Sequence, residues 1–70
     1  MTFEEWIREN LVIDSYDDAI DWGEGTFTPV VYFIEMFEDV AQKALDNNED
    51  VRQAIYDNDN GRGFKDLILN

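Results

Sequence analysis

Apolar residues at 3, 6, 7 and 11 recur at the spacing of one helical face, with Asn10 beside Leu11 on that side. Thr2, with Glu5 three residues on, forms a capping box at the start, so the pattern predicts a first helix. Leu11-Val12-Ile13 reads as a short extended link or strand. Ser15, followed by Asp18, marks the next N-cap and opens a short helix over 15–22 whose apolar side is Tyr16, Ala19 and Ile20. Gly23 and Gly25 end it, because glycine readily takes the left-handed conformation of a helix C-terminus.

The third segment carries the clearest signal. Thr28-Pro29 is an N-cap with proline in the first turn, followed by apolar residues at 30, 31, 33, 34, 37, 40, 41, 44 and 45. Glu35, Asp39, Gln42 and Asp46 make a narrow polar stripe opposite, as expected of a central helix covered on most of its circumference. Asn48 is the expected cap of a fourth helix, with Glu49 and Asp50 in its first turn and Val51, Ala54 and Ile55 facing inward. Asn60-Gly61 ends it, and Phe64, Leu67 and Ile68 predict a terminal helical turn. The expected fold is all-α: one domain, 1–70, as a compact bundle of four to five short helices around a central apolar helix at about 29–46. The alternative is α+β, with 11–13 and 26–28 paired as a small two-stranded element.

Charge changes this picture more than composition does. The 70 residues hold 17 acidic and 5 basic side chains, for a net charge of −12. Between Arg8 and Lys43 there is no cation, yet Glu9, Asp14, Asp17, Asp18, Asp21, Glu24, Glu35, Glu38 and Asp39 fall there. Such a surface repels itself, and it repels nucleic acid and anionic membranes. Direct nucleic-acid binding and membrane association are therefore disfavoured. The absence of cysteine and histidine removes thiolate chemistry, the usual transition-metal ligands and the commonest general base. The apolar runs are too short for a membrane span, and no basic region precedes one, so a cytoplasmic protein is expected.

Candidate motifs fail on spacing. With Gly61 at position 6 of a calcium loop, Tyr56 and Leu67 occupy positions 1 and 12, where oxygen ligands are required. Gly23-Glu24-Gly25 lacks the third glycine of a dinucleotide fingerprint and places an acid where phosphate would sit. Asp14, Asp17, Asp21 and Glu24, if helical, lie along a ridge and do not converge on one cation. Paired carboxylates need a desolvated cleft to act as acid and base, and the patterning exposes these. No catalytic residue, metal ligand or cofactor is assigned.

A one-signed surface invites a partner of the opposite sign, because surfaces of mixed sign are more stable. The expected interaction ridge is Asp14, Asp17, Asp18, Asp21 and Glu24, extended by Glu35, Glu38 and Asp39, with Trp22 as an apolar anchor. On a helix, neighbours three and four apart have Cβ atoms about 5–6 Å apart, close to the separation of phosphates along one nucleic-acid strand. In size, acidity and lack of catalytic residues the chain is similar to phage-encoded anti-restriction, anti-CRISPR and uracil-glycosylase inhibitor proteins, with which it shares no motif. That likeness implies a non-enzymatic mimic of nucleic-acid phosphates in the basic groove of a nucleic-acid-binding protein. The alternatives are an acidic adaptor for another basic partner, or acidity as a solubility device of a halophilic proteome. A homodimer would lengthen the acidic surface.

Overall fold

A computed structural model describes residues 1–69, in the order α1 (Phe3–Asn10), β1 (Ile13–Asp14), β2 (Ala19–Gly23), β3 (Thr26–Pro29), α2 (Val30–Asp46), α3 (Val51–Asp57) and α4 (Lys65–Ile68). The three strands form one antiparallel sheet in the order β1-β2-β3. The all-α expectation is therefore wrong; the fold is α+β. The chain packs as two compact units, Met1–Met36 and the remainder from Phe37, with α2 contributing its first turns to one and the rest to the other.

In the first unit, α1 begins as its capping box dictates. Thr2 Oγ1 accepts the Glu5 N–H at 3.1 Å, and Glu5 Oε1 accepts the Thr2 N–H at 2.8 Å. Phe3, Trp6 and Ile7 are its buried face. Phe3 lies 5.9 Å from the Phe33 ring of α2, and the Trp22 ring meets Phe33 edge-on at 5.6 Å.

The predicted second helix, 15–22, is the principal error. Residues 15–18 form a turn instead, with Asp18 at φ 49°, and β2 starts at Ala19. Asp14 Oδ1 accepts the Tyr16 N–H at 3.0 Å, a side-chain turn that competes with a Ser15 cap. An isolated helix of this length is marginal. As a strand, the same residues gain a partner on each side: Ile13 pairs with Ile20 on β1, and Ile20 with Thr28 on β3. The α+β alternative is also corrected, because the 11–13 and 26–28 regions do not pair with each other; β2 lies between them.

Between Asp21 and Gly23 the β2–β3 register slips, leaving Trp22 as the extra residue of a bulge. The hairpin then turns through Glu24 at φ 55° and Gly25 at φ 79°, the left-handed pair that suits a two-residue connection. Thr28 is buried, and its hydroxyl accepts the Trp22 indole N–H at 2.9 Å.

Helix α2 nearly matches its predicted span. Val30, Phe33, Phe37, Ala41 and Ala44 are buried, but Val31 is exposed, so the helix is less enclosed than expected. Its end explains a second correction. The Glu49 N–H bonds Ala44 O and the Asn48 N–H bonds Leu45 O, with Asn48 at φ 59°. This Schellman arrangement makes Asn48 the terminator of α2. The cap of α3 is Asp50, whose Oδ1 accepts the N–H groups of Arg52 and Gln53.

In the second unit Phe37 and Phe64 meet edge-to-face at 5.6 Å, beside buried Val51, Ile55 and Ile68. Asp59, in the turn that follows α3, is 2% exposed. Its two oxygens accept the N–H groups of Gly63 and Phe64, both at 3.0 Å, and so hold the entry to α4.

Candidate functional site

The sequence-predicted acidic residues are not a helical ridge. Asp14 ends β1, Asp17 and Asp18 lie in the turn, Asp21 is in β2, and Glu24 is at the hairpin tip. Glu35 is exposed on α2 within the first unit, while Glu38 and Asp39 are exposed on the part of α2 assigned to the second. Spacing by three and four residues therefore has no meaning for 14, 18 and 21. Sheet register replaces it. Asp14 faces Ala19, two residues from Asp21 on β2, which makes Asp14 and Asp21 diagonal neighbours on one sheet face. Such neighbours are about 7–8 Å apart.

These carboxylates differ in what they touch. Asp18 is paired: Arg8 Nη1 meets its Oδ1 at 2.8 Å and Nη2 its Oδ2 at 3.2 Å, a two-pronged contact. The same guanidinium reaches Glu4 at 3.1 Å. Hydrogen bonding from Arg8 holds the Asp18 carboxyl below its ordinary value, and Asp18, then Glu4, push Arg8 up. Asp18 stays exposed, with its charge matched by the only basic side chain of its unit. Asp14 and Asp21 each give one oxygen to a backbone N–H, of Tyr16 and of Gly23 at 2.8 Å. Those bonds fix where the two carboxylates stand. Asp17, Glu24 and Glu35 are exposed.

Trp22, the expected apolar anchor, has a structural role as well. It is half-buried, with its indole N–H on Thr28 and its ring edge against Phe33, so it joins sheet to helix. The exposed apolar side chains are others: Val12 at 68%, Tyr16 at 94%, Phe27 at 51%, Val31 at 66% and Tyr32 at 55%. Sequence reasoning missed them because Tyr16 and Val31 were placed on helical faces turned inward. The signal for Phe27 was present in the alternation Thr26-Phe27-Thr28, which as a strand puts Phe27 opposite the side that Thr28 buries.

The second unit has a groove of about 440 Å³ between α2 and α3, bordered by Lys43, Glu49, Asp50, Gln53, Asp57 and Asn58. Several of its polar groups are structural: Asp50 caps α3, Asp57 accepts the Gln53 amide at 2.9 Å, and the Asn58 amide donates to Ala54 O at 2.7 Å. Among the described residues no group of three or more carboxylates is placed to hold a metal ion, and no helix is long and apolar enough to cross a membrane.

No family model matches the chain, and no curated protein or solved structure shows significant similarity to it.

Proposed function

We propose that the protein is a small, non-enzymatic acidic inhibitor that occupies the basic groove of a nucleic-acid-binding protein in place of nucleic-acid phosphates. One observation carries this reading: the first unit presents Asp14, Asp17, Asp21, Glu24 and Glu35 while its single cation, Arg8, is spent on Glu4 and Asp18. Carboxylates left without a cation in their own unit cost folding stability through repulsion, and a cationic partner turns that cost into binding energy. Diagonal neighbours such as Asp14 and Asp21 are about 7–8 Å apart in a regular sheet, a spacing comparable to that of phosphates along a strand. The other reading, an acidic adaptor for a different basic protein, is favoured by the exposed apolar side chains on the same unit, since a pure phosphate surrogate needs none.

The two readings part in a competition experiment. Immobilised protein is loaded with lysate at low salt and then washed, at constant ionic strength, with duplex DNA or with neutral dextran. Release of captured proteins by DNA alone, and weaker capture by the Asp14→Asn, Asp17→Asn, Asp21→Asn triple variant, supports mimicry. Proteins that salt removes and DNA does not would replace the mimic with the adaptor.

A further inference from the structure

We propose that the outer face of the sheet is a docking surface for a basic protein segment that carries an apolar side chain between cations. The inference rests on the binding reading above and specifies its chemistry. Val12 O accepts the Asp21 N–H, and Asp21 pairs with Phe27, so Val12, Asp21 and Phe27 form one row across the sheet. Side chains directly opposite in such a row share a face, with Cβ atoms about 4.5–5.5 Å apart. The next row on that face is Asp14, Ala19 and Pro29. Val12, Phe27 and Pro29 are exposed there, and Val31 follows in the first turn of α2, also exposed. The opposite face is the one that buries Ile20 and Thr28. Two fixed carboxylates thereby share the face with three exposed apolar side chains, Val12, Phe27 and Pro29, around a buried Ala19.

Charge decides the occupant. A second copy of the chain brings a further net charge of −12, and nucleic acid and anionic lipid are repelled for the same reason. A simple cation or polyamine would match the carboxylates and leave Val12 and Phe27 wet. A protein segment with lysine or arginine flanking an apolar residue satisfies both. Because backbone N–H groups already hold Asp14 and Asp21, little side-chain freedom is lost on pairing. Strand addition along β3 is not the mode, since that edge is four residues long and ends in Pro29, which has no N–H. The contact is face-on, through side chains.

The test is an NMR titration of the full ¹⁵N-labelled chain with two peptides of equal length and charge, one of alternating lysine and leucine blocks and one with serine replacing leucine. The leucine peptide is expected to bind about fivefold more tightly, with amide shifts concentrated at Val12, Asp14, Asp21 and Phe27. In the Val12→Ser, Phe27→Ser double variant, whose fold is checked by circular dichroism, the two peptides should bind equally. Equal affinity of the peptides for the native chain, or shifts centred elsewhere, overturns the docking surface and leaves the charge-based function standing. Failure of both peptides to bind removes the two together. A concentration-dependent dimer that shifts these same amides would give the face to a second copy and likewise overturn the proposal.

Discussion

The two units use their charges in opposite ways. The first has nine carboxylates and one cation, and exposes Val12, Tyr16, Phe27, Val31 and Tyr32. The second has eight carboxylates and four cations, three of which make contacts within the unit. Arg52 Nη1 bonds Ile68 O at 2.6 Å, Arg62 stands over the Phe37 ring at 5.6 Å, and Lys65 over Tyr56 at 5.1 Å. Its most buried carboxylate, Asp59, organises a turn. In the second unit an acid is buried to hold a turn, whereas in the first the acids that make structural bonds stay at the surface. Equal acidity in two stretches of sequence therefore carries no equal meaning; the available cations and N–H groups decide it.

The largest expected effect breaks the second unit. Asp59→Ala strands the buried Phe64 N–H and the part-buried Gly63 N–H at the start of α4 and should cost about 2–3 kcal/mol of stability by urea denaturation. Binding measured well below the transition should survive. Loss of binding at full stability would place function in the second unit and undo the comparison.

Next is the paired charge test. Asp14→Asn, Asp17→Asn and Asp21→Asn together should weaken partner binding by about 2 kcal/mol, with the fold retained by circular dichroism. The matched control neutralises Asp46, Glu49 and Asp57 in the second unit and should have a small effect. Equal losses would reduce the interaction to bulk charge. Asp59 is unsuitable as a control because of its buried bonds.

Trp22→Phe sharpens the structural role of that residue. It removes the donor to Thr28 and should cost about 1–2 kcal/mol of stability with partner affinity unchanged. A fall in affinity at unchanged stability would make Trp22 an anchor.

What was legible in the sequence follows the range of the forces involved. The Thr2–Glu5 box and the Phe3/Trp6/Ile7 face are local, and they appear in α1 as expected. Phe33 and Phe37 are core because the long period of α2 leaves no other reading. The 15–22 segment failed because its outcome depends on distant partners. Ile20 is fixed by Ile13 and Thr28, and Asp18 by Arg8, ten residues away. Asn48 and Asp50 were confused because both are good caps, and only the Schellman bonds of Glu49 and Asn48 tell which helix each serves. For the candidate surface, its sign and its chain segment were legible. Its face was not, since changing helix for strand sends Asp14 and Asp21 to one side and exposes Phe27 and Val12.

Screening should help the first unit more than the second. Raising salt from low to physiological strength is expected to increase the melting temperature by about 3–5 °C. A flat response would mean that the acids are farther apart than their number suggests.

The smallest expected effect isolates Arg8, the one cation of the acidic unit. Hydrogen bonding from Arg8 lowers Asp18 from its ordinary 3.8, and hydrogen bonds from Thr2 lower Glu5 from 4.5. A carboxyl whose folded value is depressed binds its proton more readily when unfolded. Its contribution is complete above the unfolded value and is lost as pH falls through the lower, folded one. The stability that these two carboxyls contribute should therefore hold on mild acidification and fall only below the ordinary carboxylate range. The melting-temperature difference between the native chain and Arg8→Met isolates the Asp18 part, since both chains keep Glu5 and its bonds to Thr2. That difference should be constant above about pH 5 and shrink as pH drops below 3.8, the ordinary value of Asp18. A difference that persists unchanged to the lowest pH would mean that Arg8 acts through its aliphatic stem, and that the pair with Asp18 contributes nothing to holding α1 against the turn.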